Sequence, residues 1–411
     1  MSSPDFSSRL AALRADFPIL LRQVRGKPLS YLDNAATTLK PLPVIDAVTR
    51  HYRDEVSNIH RGVHFLSEQA TAQYEESRSK VRRLLNASED AEIVFTSGTT
   101  AAINLVAQSW GRSQLKSGDE VLVTGMEHHA NIVPWQMLRD EKGIVLKHIP
   151  FLPDGSLDLE AARRLVGPRT RLLSFVHTSN ALGTINPVEE LIALAKSVGA
   201  LTLVDAAQAV AHGPLDVQAL GCDFLAFSGH KLYGPTGIGV LYGRRELLEA
   251  MPPVTGGGDM ILSVTWEKTL YAPPPARFEA GTPHICGVIG LGVAIDWLLG
   301  QGWDLLQGQE ELLLTEGTRM LGEIPGLRLI GTAPKKTSIL SFVVDGVHPH
   351  DLGTILDFEG VAIRTGHHCA QPVMDAFGIP ATARASLSPY NSVDDIERLV
   401  AGIRKAQRLF S

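Results

Sequence analysis

The chain has 411 residues, a net charge of −6, and a composition that is 44% hydrophobic and 20% charged. This length allows two or three domains, and the composition is typical of globular proteins. An acidic balance without a run of Lys or Arg argues against nucleic acid as a partner. The N-terminus lacks the apolar core of a signal peptide, and the longest apolar stretch, residues 285–295, is too short to span a bilayer. We therefore expect a cytoplasmic protein without a membrane partner.

Strand-like and helical segments alternate over the central part of the chain, which is typical of βαβ units around a mostly parallel sheet. Strands are predicted at residues 92–95, 120–124, 171–176, 201–204, 224–227 and 237–242. Helical periodicity is clear at residues 101–109, 187–198 and 287–299.

After about residue 290 the pattern changes to that of a smaller α+β unit. A long helix is followed by a strand at 337–344, a helix from 350, a strand at 361–364 and a closing helix at 393–410. The predicted organisation is an N-terminal segment (residues 1–31) that packs with the small domain, a large α/β domain (32–290) and a small α+β domain (291–411).

Polar residues follow five of the predicted strands. They are Thr99 and Thr100 after the first, His128 after the second, Asn180 after the third, Asp205 after the fourth, and Ser228 to Lys231 after the fifth. Ligands of open parallel sheets bind outside the carboxyl ends of the strands. These residues are therefore expected to share one crevice.

Lys231 and Asp205 are the most informative pair in the sequence. Burying a charged lysine at the C-terminal end of a strand costs desolvation free energy, unless the lysine has a partner or loses its charge. A structural Lys–Asp ion pair is one interpretation. A lysine that forms a Schiff base and a carboxylate that pairs with a pyridinium nitrogen are also the two fixed points of a pyridoxal phosphate site. Ser228 and His230, which can bind an anion beside Lys231, favour the coenzyme.

A phosphate seat is predicted where residues 97–100 open a helix, because free amides and the helix dipole attract anions there. An ordinary threonine N-cap is the alternative, and Ser228 and His230 tip the balance toward phosphate. His128 is interpreted as a ring that lies over the cofactor and moves protons. Adjacent histidines point apart, which argues against a metal pair with His129.

The sequence has three cysteines, Cys222, Cys286 and Cys369. The first two lie in apolar stretches and are expected in the core, and three are too few for a disulfide framework. Cys369 follows Arg364, His367 and His368, whose positive charge would favour a thiolate, so Cys369 is the candidate nucleophile. A zinc site at residues 367–369 is disfavoured because no second ligand cluster has matching spacing.

Arg384 enters a strand-like apolar stretch at residues 383–387. It has two interpretations, a structural ion pair or a planar two-donor clamp for a substrate carboxylate. An amino-acid substrate favours the clamp, to which Asn180 could add a further donor.

Seven motifs, in order, resemble those of the cysteine desulfurases, and of their group II (the Suf-type and CsdA-type enzymes) in particular. The resemblance runs from about residue 15 to the C-terminus. The motifs are residues 33–38 (DNAATT), 58–62 (NIHRG), 127–131 (EHHAN), 228–239 (SGHKLYGPTGIG), 279–283 (EAGTP), 364–369 (RTGHHC) and 384–386 (RAS).

This resemblance implies a homodimeric fold-type-I pyridoxal phosphate enzyme with a mostly parallel sheet of the seven-stranded type and a smaller α+β C-terminal domain. It implies that L-cysteine becomes L-alanine while Cys369 passes the sulfur, as a persulfide, to a SufE- or SufU-like acceptor for iron–sulfur cluster assembly. The resemblance also implies roles for individual residues. Lys231 would attach the cofactor, Asp205 would contact its pyridine nitrogen, Gln208 its phenolic oxygen, and His128 would stack on its ring and act as proton shuttle. Its phosphate would be held by Thr99, Thr100, Ser228 and His230, with Thr282 reaching over from the second subunit; the substrate carboxylate would be bound by Arg384 and Asn180, and the same pocket would be lined by Arg61 and Arg364.

Two departures from the family pattern leave the subgroup open. Ser97 stands where arginine commonly precedes the Gly-Thr-Thr turn, and Gln371 stands where many Suf-type members have methionine. Selenocysteine lyase, cysteine sulfinate desulfinase, an aminotransferase that does not use Cys369, and a non-enzymatic binding protein remain as alternatives.

Overall fold

The computed structural model describes residues 4–410. The strands are β1 (Gln23–Val24), β2 (Lys27–Pro28), β3 (Ser30–Tyr31), β4 (Ile93–Thr96), β5 (Glu120–Thr124), β6 (Val145–Ile149), β7 (Thr170–Val176), β8 (Leu201–Asp205), β9 (Phe224–Ser228), β10 (Gly239–Gly243), β11 (Ile261–Val264), β12 (Thr269–Tyr271), β13 (Leu327–Ile330), β14 (Ile339–Val344), β15 (Val361–Ala362), β16 (Arg364–Gly366) and β17 (Thr382–Ser386). The α-helices are α1 (Pro4–Ala15), α2 (Leu42–Arg50), α3 (Phe65–Leu85), α4 (Thr99–Val106), α5 (Arg112–Gln114), α6 (Val133–Lys142), α7 (Leu159–Leu165), α8 (Val188–Ser197), α9 (Val217–Leu220), α10 (Arg245–Ala250), α11 (Ile285–Gln301), α12 (Trp303–Gly322), α13 (Pro349–Phe358), α14 (Gln371–Phe377) and α15 (Val393–Phe410).

A seven-stranded sheet forms the centre of the molecule, in the order β4-β10-β9-β8-β7-β5-β6. Only β10 runs antiparallel to its neighbours, so the sheet is mostly parallel, and the predicted α/β fold is confirmed. The six predicted strands of this sheet are all present, with bounds shifted by at most two residues. Strand β6 was missed because it lies at the sheet edge, where Lys147 and His148 are tolerated among its apolar residues.

Helices cover the central sheet, and its buried side chains form two large apolar clusters. Helix α11 packs against α2 and α3 and is buried on most of its surface, which accounts for its apolar sequence. Over residues 4–410, no single helix has both the length and the apolar composition needed to cross a bilayer. Only α11 and α12 taken together meet that test, and they are bent by 80° relative to each other.

A second sheet, antiparallel and four-stranded in the order β13-β14-β17-β16, packs with α12, α13 and α15 around a third apolar cluster. Strand β3 of the N-terminal segment pairs with β15, beside this sheet. The predicted domain boundary between residues 290 and 291 falls inside α11, and the division into domains stays a prediction.

Strands β8 and β9 end on residues that carry chemistry. Asp205 is the last residue of β8, and Ser228 is the last residue of β9. The loops after β5 and β7 carry His128 and Asn180 at the same edge of the sheet. Parallel strands thus bring side chains from distant parts of the sequence to one location.

Gly239 allows β10 to approach the turn that precedes α4. A Cβ atom at position 239 would lie 2.4 Å from the Cα of Gly98 and 2.7 Å from the carbonyl oxygen of Phe227. Both contacts are with backbone, which cannot move aside as a flexible side chain can. The position of the Gly98 turn therefore depends on the missing side chain of Gly239.

We expect Gly239→Ala to lower the free energy of unfolding by about 1–3 kcal/mol, because overpacking displaces the backbone of the neighbouring turn. The measurement is the midpoint of thermal unfolding followed by circular dichroism. Gly300→Ala in α11 is the matched control, since a Cβ atom there meets nothing within 4 Å. Equal midpoints for the two variants would contradict the close approach.

Candidate active site

A cavity of about 200 Å³ opens at the carboxyl ends of the central strands. The predicted site residues that line it are Thr99, Thr100, His128, Asn180, Asp205, Gln208, Ser228, His230, Lys231, Arg364, Cys369 and Arg384. Residues from both sheets therefore meet in one cavity, as the sequence predicted for most of them.

One end of the cavity is suited to an anion. Helix α4 begins at Thr99, and its N-cap residue, Gly98, has no side chain that could accept from the first amides of the helix. The Thr99 amide donates to Ser228 Oγ at 2.8 Å, and the hydroxyl groups of the two residues share a hydrogen bond of 2.7 Å. The positive end of the helix dipole, two hydroxyl groups and the nearby ring of His230 together make a phosphate seat.

Lys231 and Asp205 both line the cavity, and their charges interact. Burial lowers the pKa of Lys231 to about 8, and the attraction of Asp205 opposes this shift. Burial also raises the pKa of Asp205, against the hydrogen bond that its Oδ1 accepts from the Ala207 amide at 2.9 Å. Burial thus penalises the charge of each group, and roughly one tenth of Lys231 is neutral at pH 7, far more than for an exposed lysine.

The backbone at Lys231 is fixed by residues that the sequence analysis did not single out. The carbonyl of His230 accepts hydrogen bonds from the hydroxyl groups of Thr37 and Thr38, each at 3.1 Å, and from Lys40 Nζ at 2.7 Å. Burial lowers the pKa of Lys40 to about 7. The DNAATT motif was noted for its resemblance, and the structure shows that it and Lys40 hold the turn that presents Lys231.

His128 is a neutral ring that lines the cavity. Its Nδ1 accepts from the Ala130 amide at 3.0 Å, which assigns the ring proton to Nε2. Burial and the nearby Lys231 lower the pKa of His128 to about 4. The ring therefore offers a flat face and one N–H donor, and its predicted role as a proton shuttle stays a prediction.

Glu127 is a buried residue whose importance the sequence analysis missed. Its carboxyl oxygens accept from Asn131 Nδ2 at 2.7 Å and from the Val176 amide at 2.9 Å, and they also accept from Thr124. Burial raises the pKa of Glu127 to about 8, although these donors oppose the shift. Glu127 joins the end of β5 to the end of β7 and so fixes the loop that carries His128.

The loop that carries Cys369 is strained and held in several places. His368 and Cys369 have φ values of 54° and 55°, which is uncommon for residues other than glycine. The Cys369 carbonyl accepts from the His129 amide at 2.7 Å, and the His368 carbonyl accepts from Asn180 Nδ2 at 2.6 Å. The His129 ring accepts from the Gln371 amide at 3.1 Å. These contacts order the loop while Cys369 itself stays exposed.

The prediction that His368 brings positive charge to the thiol is wrong. Burial, with Arg384 and Arg364 close by, lowers the pKa of His368 to about 2, so its ring is neutral. The ring instead hydrogen-bonds to Thr382 Oγ1 at 2.8 Å and so anchors the loop to β17.

Arg384 is buried and lines the cavity. Its Nη1 donates to the Asn180 carbonyl at 2.8 Å and its Nη2 to Asp33 Oδ1 at 3.2 Å. Within residues 4–410, its Nε has no hydrogen-bond partner. Burial lowers the pKa of Arg384 to about 10, which leaves it charged at neutral pH. A buried guanidinium with an unused donor is suited to a carboxylate ligand.

Within a single chain, Arg61 and Thr282 lie outside this cavity. Arg61 was predicted to line it, and the single chain does not place it there. Arg61 pairs with Asp259 at 2.8 Å and, with Glu279 and Gly281, lines a second cavity of about 320 Å³. Thr282 is exposed beside this second cavity. Over residues 4–410, no group of three or more His, Cys, Asp or Glu side chains is arranged to hold a metal ion.

The aminotransferase class-V family model matches residues 30–399. A cysteine desulfurase of Synechococcus elongatus is 52% identical over 395 residues, which cover 96% of this chain and 63% of that protein. A cysteine desulfurase of Dickeya dadantii is 51% identical over 398 residues, or 97% of this chain and 96% of that protein. The crystal structure of the cysteine desulfurase CsdA from Escherichia coli is 41% identical, with a TM-score of 0.90 over 98% of this chain and 99% of that one. The chain belongs to the class-V aminotransferase family.

We expect His129→Ala to make the Gln371 amide exchange with solvent about fivefold to tenfold faster, because one hydrogen bond of the Cys369 loop is lost. Only a neutral His129 ring can accept, and burial and His367 lower its pKa below the ordinary 6.5. Protection of the Gln371 amide should therefore persist at pH 7 and disappear as the pH falls below 6.5.

The measurement is hydrogen exchange of the peptide that contains residues 369–373. His367→Ala is the matched control, because the exposed His367 contributes its backbone carbonyl to the loop. Equal exchange in the two variants would show that the ring of His129 does not hold the loop.

Proposed function

We propose that this chain is a pyridoxal phosphate-dependent cysteine desulfurase that converts L-cysteine to L-alanine and holds the released sulfur on Cys369. The observation that carries the proposal is that Lys231, Asp205 and Cys369 line one cavity together with the buried Arg384. The curated relatives of the same name, alike over nearly the whole chain, support it.

The residues of the cavity fit pyridoxal phosphate. The N-terminus of α4, with Thr99, Ser228 and His230, would hold the phosphate. Asp205, a buried carboxylate that lines the cavity, would pair with the pyridine nitrogen. The flat ring of His128 would lie over the cofactor, and Gln208 also lines the cavity, with its Nε2 bound to the Ala35 carbonyl at 2.7 Å.

When bound, the cofactor withdraws electrons from the substrate and so makes its Cα–H and Cβ–S bonds easier to break. Arg384 and the second N–H of Asn180 would hold the substrate carboxylate. Lys231, whose pKa of about 8 gives it a neutral fraction, would remove the Cα proton. The Cys369 thiolate would attack the substrate sulfur, so that a sulfur–sulfur bond forms on Cys369 as the Cβ–S bond breaks. The electron pair of the broken bond would pass to Cβ, which takes up a proton, and Lys231 would return the proton to Cα before alanine leaves.

We also propose that the enzyme is a homodimer in which Thr282 and Arg61 serve the partner's cavity. Both residues are exposed; Arg61 lines the second cavity, and the two chain neighbours of Thr282, Gly281 and Pro283, line it as well. The nearby hairpin of β11 and β12 exposes several large apolar side chains, Leu262, Val264, Trp266, Leu270 and Tyr271. An exposed apolar surface of this kind is typical of a subunit interface.

The exposed position of Cys369 suits transfer of its sulfur to another protein. We propose a SufE- or SufU-like acceptor, use of the sulfur in iron–sulfur cluster assembly, and a cytoplasmic location for the reaction. An ordered, exposed loop lets an acceptor thiol reach the sulfur without opening of the cavity.

We expect Lys231→Ala to lose the visible absorbance of the attached cofactor and all measurable turnover, because the variant has no amine for attachment or for removal of the Cα proton. The measurements are the absorbance spectrum and alanine release from L-cysteine. Lys116→Ala, which removes an exposed lysine between α5 and β5, is the control and should keep both. Full activity in Lys231→Ala would refute the assignment.

We expect Cys369→Ser to bind the cofactor and L-cysteine yet to release alanine at least about 100-fold more slowly, because a hydroxyl is a much weaker nucleophile toward sulfur. Mass spectrometry of the native protein after incubation with L-cysteine should find an added sulfur on the Cys369 peptide. The buried Cys222 and Cys286 are internal controls. Added sulfur on either of them, with none on Cys369, would contradict the proposal.

A further inference from the structure

Two arginines of the cavity lie directly opposite each other in the second sheet. Arg364 of β16 and Arg384 of β17 are register partners in an antiparallel pair. Like charges directly opposite each other destabilise a sheet. Both side chains nevertheless point toward the same cavity, so an additional interaction must keep them together.

Asp33 supplies that interaction. Its Oδ1 accepts from Arg384 Nη2 and from Arg364 Nε, each at 3.2 Å, and its Oδ2 accepts from Arg364 Nη2 at 3.2 Å. The backbone beside Asp33 is tied to β17, since the Ser386 amide donates to the Leu32 carbonyl at 2.8 Å. One carboxylate is therefore fixed between the two guanidinium groups.

The charges of this cluster, defined as Asp33, Arg364 and Arg384, leave one positive charge facing the cavity. Arg384 is buried, and its side chain is only 2% exposed, whereas that of Arg364 is 46% exposed. The unused Nε of Arg384 lies at this cluster. A ligand with a single carboxylate would make the cluster neutral, and a second negative charge would have no partner there.

We propose that Asp33 is a specificity-determining residue that holds the cluster at one net positive charge, so that the cavity favours ligands with one carboxylate over ligands with two negative charges. L-cysteine with a neutral thiol is such a ligand, and in naming that substrate the inference rests on the proposed function. Six other ionisable groups line the cavity and are the same in every variant below: Asp205, Lys231, His128, His230, His368 and Cys369.

The test compares the binding of acetate and malonate to the holoenzyme by titration calorimetry. In Asp33→Asn the cluster carries two positive charges, and we expect malonate to gain about tenfold in affinity relative to acetate. In the double variant Asp33→Asn/Arg364→Gln the net charge returns to one, and the ratio should return to within about threefold of the native value. In Arg364→Gln alone, malonate should lose affinity relative to acetate.

Two further variants complete the design. Asp33→Glu keeps the charge and should keep the native ratio. Asp140→Asn removes an aspartate that is 70% exposed on α6 and should leave both affinities unchanged. If Asp33 served only to support the fold, acetate and malonate would weaken together in Asp33→Asn and the double variant would not restore them. That result would overturn the inference. If Asp33→Asn does not fold, the Arg364→Gln variant still tests the inference, through the predicted loss of malonate affinity relative to acetate.

Failure of this inference can be distinguished from failure of the proposed function. Anion selectivity is measured without turnover, and alanine release from L-cysteine is measured on the native enzyme. Alanine release with an unchanged anion ratio in every variant would refute the role of Asp33 alone. The expected ratios without alanine release would refute the desulfurase proposal alone.

Discussion

The free energy cost of burying a lysine is the constraint around which this site is built. Strand β9 ends in the turn that carries Lys231, in an environment that disfavours its positive charge. A lysine in such a place needs a nearby carboxylate, a covalent partner or a neutral state. Asp205 from β8 provides the carboxylate, and the neutral fraction provides the reactivity. The carbonyl of His230 accepts four hydrogen bonds, from the Thr38 amide, the hydroxyl groups of Thr37 and Thr38, and Lys40 Nζ. These bonds fix the turn that carries the amine of Lys231.

The second sheet completes the site because it brings groups that the first sheet cannot supply. Cys369 and Arg384 both belong to this part of the chain. Asn180, in the loop after β7, donates through its side chain to the carbonyl of His368, the neighbour of Cys369, and accepts through its own carbonyl from Arg384. Asn180 therefore links the Cys369 loop to the buried guanidinium. The thiol, the amine and the carboxylate clamp are positioned by contacts across the interface between the two sheets, and movement at that interface would affect all three.

Residue type and local pattern made much of the site predictable. Lys231, Asp205 and Ser228 follow apolar runs whose strand character is clear from the sequence, and their type is unusual at such positions. The roles of Asp33 and Glu127 could not be predicted in this way, because each depends on partners that are distant in the chain or contributed by the backbone. Arg61 was placed in the cavity by resemblance, and a single chain places it elsewhere because it pairs with Asp259.

The sequence by itself determined the mostly parallel α/β sheet, because strand-like and helical segments alternate along the chain. A lysine at a strand end and the resemblance to a known family predicted the class of site, with Lys231 and Cys369 as its reactive residues, and these two assignments stay predictions. Only the tertiary structure decided that His368 is neutral, that His129 holds the Cys369 loop and that Asp33 joins two arginines. Burial and hydrogen-bond partners determine protonation and charge balance, and both arise only when segments far apart in the chain come into contact.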